Sequence, residues 1–501
     1  MSGKNKKTEQ LPEDSVKLKP LFGVRPGVYL AVLYGAIICL IAFFLLFFPG
    51  IINPGSKIRF DSEPLGAAVR VDGVYIGTTP CTVFVPRGQH TVTFVLPGFA
   101  ESQSDQFVRS RIFASLFAGP KETVTAGLTA EDPVGALARE ASEYARWSFA
   151  GEPTAIYQIP LSLSEGVYRA GTAAADSGIR LEMEGILSGA ARFSVSAAGI
   201  RDLIRAKTLL DNSGNSPSPV SLAASAADIL VYLSGTPGAA SWLAGCLPLE
   251  SATRIGDSAW LEDETRNART MTTRPRQYPA AGGITQVASL RFRQIPGGTV
   301  VLGSPFPREQ TVESFWICET EVGKSDWDAF VRANPVWSRD NIQELTEQGL
   351  VTGDYLTGST NPAAPVLTVP GVSWHAAKAF CAWLTGSLGP AMDGYEIRLP
   401  REAEWEYAAK LDQAAGQPQI TDMLGGYWEW CEDPYAHLSF LPAPESAAAL
   451  ISSPDRSVRG GSWINPSGSV QTETRGSLAP ETCSPFVSFR PVIAGKRGAG
   501  S

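Results

Sequence analysis

Arg398-Leu399-Pro400-Arg401-Glu402-Ala403-Glu404-Trp405-Glu406-Tyr407-Ala408-Ala409 decides how the C-terminal part of this chain is read. Pro400 suits the opening of a helix, where a missing N–H costs little. Glu402 and Glu404 then fall in the first turn, where the helix dipole favours carboxylates. Glu402 and Glu406 stand four apart with like charge, as a catalytic carboxylate pair would. Arg398 and Arg401 are close enough to pair with them, and a structural ion-pair role is the preferred reading. Upstream, Val372-Ser373-Trp374-His375-Ala376-Ala377 offers Ser373 as a helix N-cap. Ala377, Phe380, Cys381 and Leu384 share one stripe of that helix, which makes Cys381 a core residue. His375 lies near the helix N-terminus, which disfavours imidazolium, and reads as a surface polar group. Further upstream, Cys318-Glu319-Thr320-Glu321-Val322 leads into a helix with Trp327, Phe330, Val331 and Asn334 on one face and Pro335 as its stop. Downstream come Asp422-Met423-Leu424-Gly425-Gly426-Tyr427-Trp428-Glu429-Trp430, then Arg459-Gly460-Gly461-Ser462-Trp463, then Ser488-Phe489-Arg490-Pro491.

The remaining sequence bounds the possibilities. With 501 residues, 44% hydrophobic and 18% charged, the chain is long enough for two or three folded domains. A net charge of -8 argues against a large nucleic-acid surface. The three histidines, His90, His375 and His437, are too few for a histidine-rich metal centre. The seven cysteines contain no C-x-x-C pair. They read as buried small hydrophobes, with room for one long-range disulfide in an oxidising compartment.

Val28 to Phe48 carries no charge. At 1.5 Å per residue it spans about 31 Å, matching a hydrocarbon core of roughly 30 Å. A cleaved signal peptide is the weaker reading, because the apolar run is long and Pro49-Gly50-Ile51-Ile52 is a poor cleavage site. Lys4, Lys6, Lys7, Lys17, Lys19 and Arg25 flank the N-terminal side. The positive-inside tendency then predicts a cytoplasmic tail (1–27), a transmembrane helix (28–52) and extracytoplasmic domains beyond, in a single-pass inner-membrane protein.

Residues 57–101 have strand periodicity. Val69 and Val71 are separated from Val74 and Ile76 by Asp72-Gly73, a hairpin signal. Thr82 to Val85 and Thr91 to Leu96 read as further strands. His90 reads as an ordinary polar strand residue. Residues 102–266 are expected to be helical, from the 3–4 spacing of Val134, Leu137, Ala141 and Tyr144, of Ile200, Leu203 and Ile204, and of Ala223, Ala226, Ala227 and Leu230. Asn212 to Pro219 reads as a loop. Residues 267–288 read as a polar linker and 495–501 as a tail.

Two resemblances follow from these strings. Pro64-Leu65-Gly66-Ala67, with Val71-Asp72-Gly73 and Gly77-Thr78-Thr79-Pro80, resembles the PEGA domain, an extracytoplasmic β module. The ordered motifs between Cys318 and Pro491 resemble the formylglycine-generating enzyme, or sulfatase-modifying factor, family over residues 289–494. The implied fold class is α+β: a C-terminal domain of that family, related to C-type-lectin-like folds, preceded by a transmembrane helix, a small all-β module and a helical middle region. In the family, Thr or Ser usually stands where this chain has Arg401, so a capping hydroxyl is lost.

The same resemblance implies a calcium loop. Asp422 and Glu429 would supply side-chain oxygens and Gly425 and Tyr427 carbonyls. Gly426 replaces the usual Asn, so a metal-free loop held by hydrogen bonds is the other reading. The oxidases of the family hold Cu(I) on two cysteines placed second and seventh after the Gly-Gly-Ser-Trp string. Here those positions are Asn465 and Val470, and Cys483 is a lone thiol further on, so no copper is expected. A related iron-dependent branch needs three histidines and an H-x-x-x-H pair, absent between His90 and His375, so no iron is expected either.

The resulting expectation is a membrane-anchored binding or assembly module without catalytic residues. Its adaptable surface would lie between Ile464 and Val487, with Asn465, Gln471, Glu473 and Arg475 meeting a ligand alongside Thr472 and Glu481. The expected partner is a cell-envelope protein or glycan. The alternatives are an oxidoreductase of the sulfatase-modifying factor family and a purely structural envelope protein.

Overall fold

The structure is a computed structural model. It describes residues 22, 24–113, 115, 119–120, 122–150, 160–213, 253, 266, 281–303, 308–358, 368–416, 419–438, 449–466 and 468–496. These divide into two compact units, residues 1–131 and 132–501.

The first unit opens with apolar helices α1 (Pro26–Leu46) and α2 (Phe48–Ile52), which together make one span long and apolar enough to cross a membrane. The β module follows: β1 (Gly55–Glu63), β2 (Ala68–Val71), β3 (Val74–Thr78), β4 (Cys81–Pro86), β5 (Gly88–Val95), β6 (Ser102–Val108) and β7 (Glu122–Gly127). The sheets run β4-β1-β7 and β3-β2-β5-β6. Ile58, Phe60, Val124 and Ala126 from the first and Val69, Val92 and Phe94 from the second share one core. Asp72 and Gly73 turn the β2–β3 hairpin with φ of 51° and 81°, the left-handed pair such a turn requires.

The module is larger than the sequence suggested. Residues 102–108 and 122–127 are strands, so the helical region begins at Pro133 and not at 102. Ser-Gln-Ser-Asp-Gln-Phe-Val hides its strand because β6 is an edge with little to bury. His90 bonds Asp72 through Nδ1 at 2.7 Å and the Pro86 carbonyl through Nε2 at 2.9 Å, a structural role.

The second unit begins with four helices: α3 (Pro133–Ser148), α4 (Ser162–Ala170), α5 (Ser177–Ala191) and α6 (Ala197–Asp211). Leu137, Ala141 and Tyr144, and Ile200, Leu203 and Ile204, are buried as their spacing predicts. Buried Asp202 on α6 accepts from the Leu163 N–H at 2.9 Å and the Ser164 N–H at 3.1 Å, capping α4 from another element. Ala223 to Leu230 and most of the expected Asn212 to Pro219 loop lie outside the described residues.

The C-terminal domain has a five-stranded sheet of order β13-β18-β12-β9-β8. Its members are β8 (Ile284–Val287), β9 (Leu290–Ile295), β12 (Phe315–Cys318), β13 (Tyr395–Arg398) and β18 (Val492–Gly495). Strands β10 (Gly298–Leu302) and β11 (Arg308–Val312) form a hairpin. A four-stranded sheet runs β16 (Arg475–Leu478), β15 (Arg456–Arg459), β14 (Trp428–Pro434), β17 (Val487–Ser488). Helices α7 (Lys324–Ala333), α8 (Ile342–Glu347), α9 (Trp374–Thr385) and α10 (Glu402–Ala414) complete it. Strand β8 belongs to the sheet, so the domain starts before residue 289 and the expected linker is shorter at that end. Of that linker, 267–280 lies outside the described residues.

The helices do not stand apart from this domain. Ala436, Leu438 and Ile451 enter the core formed by α3 to α6. The Leu438 N–H donates to the Arg192 carbonyl at 2.9 Å, and the Ser452 N–H to Ser142 Oγ at 3.0 Å.

Candidate functional site

Helix α10 starts where the sequence placed it, but its partners are not the ones expected. Ser373 does cap α9, accepting from the Ala376 N–H at 3.1 Å. On α10, Arg401 brings no side-chain cap, and Asp433 Oδ2 from β14 accepts the Glu402 N–H at 2.6 Å instead. Burial, with Glu402 beside it, pushes the Asp433 carboxyl up to about 6. Arg398 pairs with Glu404 at 2.7 Å, not with Glu402 or Glu406. Glu402 takes Arg475 at 2.8 Å and Arg459 at 3.5 Å; Glu406 takes Arg459 at 2.6 Å and Lys410 at 3.0 Å. Burial alone would raise Glu402, but Arg475 and Arg459 hold it below the usual carboxylate range. Both carboxylates are ion-paired, and the cations come from β15, β16 and α10 itself.

A second buried pair lies at the centre of the domain. Arg490 meets Glu429 at 2.7 Å, both side chains fully buried. Trp405 Nε1 donates to Glu429 Oε2 at 2.8 Å, and the guanidinium also donates to the carbonyls of Cys318 and Thr421. Glu321 completes the centre. Its Oε1 accepts the Tyr427 N–H at 3.2 Å and its Oε2 the Thr368 hydroxyl at 3.1 Å. Burial, reinforced by the Glu429 charge, pushes Glu321 up to about 8.

This geometry bears on the expected calcium ligands. Both oxygens of Glu429 accept from Arg490 or Trp405, so a cation there would sit against a guanidinium. Asp422 is exposed at φ 56°, and the Tyr427 N–H is turned toward Glu321. Of the expected ligands, Glu429 has both carboxylate oxygens already taken by Arg490 and Trp405. The loop is held by hydrogen bonds: the Gly425 N–H donates to the Gly460 carbonyl at 2.9 Å and the Trp463 N–H to the Gly426 carbonyl at 3.1 Å.

The expected binding surface is only partly a surface. Arg475 is buried against Glu402, donates to the His437 carbonyl at 3.1 Å and stacks 4.6 Å from the Tyr435 ring centroid. It was expected to be exposed because loop composition does not reveal an ion pair 73 residues away. Glu473 binds Lys410 at 2.7 Å, and Thr472 is buried. Asn465 Oδ1 accepts the Ser462 N–H at 2.7 Å and shapes its own turn. Gln471 is exposed and Glu481 half-buried.

The positions second and seventh after the Gly-Gly-Ser-Trp string do meet. A Cβ built on Gly461 (φ 68°) would lie 2.5 Å from Val470 Cγ2 and 3.3 Å from Asn465 Oδ1. The fold therefore gathers these two side chains at one point, and they are an amide and an aliphatic group. Trp463 beside them packs on Phe486 at 5.5 Å, and its indole N–H has no acceptor among the described residues. Cys318 and Cys483 are buried with thiols pushed up to about 11, and burial raises Cys381 and Cys431 as well. His375 is half-buried, and burial lowers its pKa. Away from these groups, a cleft of about 390 Å³ is lined by Lys378, Thr385, Glu396, Arg398, Arg401 and Glu432 among others.

Comparison with known families assigns two domains. A model of the sulfatase-modifying factor enzyme 1-like domain matches residues 290–420 and 414–494, and a PEGA domain model matches 56–106. The chain carries a sulfatase-modifying factor enzyme 1-like domain behind a PEGA domain. An uncharacterized protein of Borreliella burgdorferi is 30% identical over 99 residues, 20% of this chain. The chain spans 19% of the length of that relative. Among solved structures, Treponema denticola variable protein 1 is similar at 20% identity and a TM-score of 0.29, covering 43% of this chain and 99% of its own. PvdO from Pseudomonas aeruginosa aligns at 18% identity with a TM-score of 0.31, also over 43% and 99%. CarF aligns at 16% with a TM-score of 0.26 over the same shares. The sulfatase-modifying factor-like domain thus stands on an ion-paired core of Arg459, Arg490, Glu406 and Glu429 that the motifs contain but do not announce.

Proposed function

We propose that this protein is a membrane-anchored binding or assembly module whose sulfatase-modifying factor-like domain acts without redox chemistry. One observation carries the reading. The two side chains gathered at Gly461 are Asn465 and Val470, and neither supplies the soft thiolate that Cu(I) requires. The apolar helix supports the anchor, with the β module and the C-terminal domain on the extracytoplasmic side of a cell inner membrane. A ligand surface is supported by exposed Ile464 and by exposed Gln471. Such a mix of apolar contact and hydrogen-bonding groups suits an envelope protein or a glycan.

The test uses the purified full-length protein. Copper, iron and calcium are quantified after loading, and O₂ uptake is followed with a cysteine-containing peptide. The reading predicts substoichiometric copper and iron and no thiol-dependent O₂ uptake. Stoichiometric copper with peptide turnover would overturn it and favour an oxidoreductase, the reading the family match alone would suggest.

A further inference from the structure

The join between the apolar helix and the β module is short and crowded. The apolar span, Pro26–Ile52, is 27 residues, about 40 Å at 1.5 Å per residue and longer than a hydrocarbon core of roughly 30 Å. Only Asn53 and Pro54 separate α2 from β1. A module tethered by two residues cannot stand far from the plane in which its helix ends.

The connection after β6 is folded back onto that join. Ser56 Oγ donates to the Arg109 carbonyl at 2.5 Å, and the Arg111 N–H donates to the Gly55 carbonyl at 2.8 Å. Arg111 Nη1 donates to the Gly119 carbonyl at 2.9 Å. The backbone of Arg111 and Ile112 lies so close to α2 that a Cβ on Gly50 would meet the Arg111 carbonyl oxygen at 2.6 Å. Phe113 packs its ring 5.2 Å from that of Phe47.

What this fixed loop presents is apolar. Ile112 is 53% exposed and Phe113 57%, beside exposed Ile51 and Ile52 of the helix. Arg109 is exposed next to them. Large apolar side chains clustered around a helix end, flanked by a cation, match the headgroup boundary of a bilayer better than water. The patch continues the apolar surface of α1, on which no residue is buried. That continuity favours lipid over a second protein as what covers it.

We propose that the loop after β6, through Ile112, Phe113 and Arg109, seats the β module on the bilayer surface, with an anionic phospholipid headgroup layer as its partner. The proposal rests on the anchor reading above, and its test separates the two. Full-length protein, with Cys39, Cys81 and Cys246 replaced by alanine, carries a nitroxide at Phe113→Cys, Ile38→Cys or Leu65→Cys. It is reconstituted in phosphatidylcholine–phosphatidylglycerol vesicles, and collision with O₂ and with a polar nickel chelate is compared by electron spin resonance. The O₂-to-nickel ratio at 113 is expected to be several-fold above that at 65 and below that at 38. A ratio at 113 equal to that at 65, with 38 in hydrocarbon, overturns the seat and leaves the anchor standing. Shielding of 113 from both reagents overturns it in favour of a protein contact. An aqueous signal at 38 overturns both readings. Should Phe113→Cys misfold, Ile112→Cys takes its place with the same expectations.

Discussion

At the scale of single residues, the C-terminal domain depends on charges taken wholly out of water. Glu429 and Arg490 are fully buried and hold Trp405 and two backbone carbonyls between them. Removing one member leaves the other uncompensated, which costs about 3–5 kcal/mol. Glu429→Gln is therefore expected to lower the thermal unfolding transition of this domain strongly, whereas exposed Gln471→Ala leaves it within about 0.5 kcal/mol of wild type. Glu321 gives a pH signature. Its folded value of about 8 lies above the ordinary 4.5, so the folded state binds more protons between those pH values. The stabilisation is complete below pH 4.5 and is lost as pH rises through about 8. Glu321→Gln carries no charge; it keeps an oxygen for the Tyr427 N–H and presents an amide N–H to the Thr368 hydroxyl, which then accepts. Denaturation midpoints between pH 5 and 8 should fall with pH in wild type and fall less in the variant; equal slopes would rule out Glu321 as the source. None of this was legible in the sequence. Arg475 looked like a ligand contact because its carboxylate, Glu402, is 73 residues away.

At the scale of elements, local pattern was informative wherever a stripe or a turn had one consistent face. Ser373 and the α9 stripe of Ala377, Phe380, Cys381 and Leu384 were readable from spacing alone. So was the Asp72-Gly73 hairpin. Strand β6 was not, because an edge strand of polar residues carries no alternation to detect. The start of α10 shows how an element can borrow what its own sequence lacks. Asp433 on β14 caps Glu402 in place of a hydroxyl at Arg401. Asp433→Ala should cost about 1–2 kcal/mol, the range for a lost N-cap. Restoring a local cap with Arg401→Ser in that background should recover part of it, as read from chemical denaturation of the two variants. No recovery would mean that Asp433 acts through its other neighbours.

At the scale of the molecule, the family motifs placed the C-terminal domain and the PEGA module correctly, but nothing in the sequence tied the helical middle to either. Its core in fact includes Leu438 and Ile451 of the C-terminal domain, with the Leu438 N–H bonded to the Arg192 carbonyl. Phe149 also packs its ring 4.8 Å from that of His437. The sequence could not show this, since the three apolar residues involved are scattered over 436–451 without period. Leu438→Glu buries a charge in that shared core and should loosen α3 to α6. Limited proteolysis should then cut the helices faster while the sheet around Trp430 and Ile493 survives. Simultaneous loss of both would mean that the two regions unfold only as one.

The convergence at Gly461 has a consequence for protein engineering. Because the side chains of positions 465 and 470 both lie beside Gly461, these two sites are the natural places to introduce a chelating thiolate pair. Asn465→Cys with Val470→Cys would place two thiols beside Gly461, at the cost of the Asn465 Oδ1 acceptor for the Ser462 N–H. The doubly substituted protein would be a two-step retrofit of a soft-metal centre into this scaffold. Its gain of Cu(I) affinity over the parent would measure how well the frame alone can present a soft-metal centre.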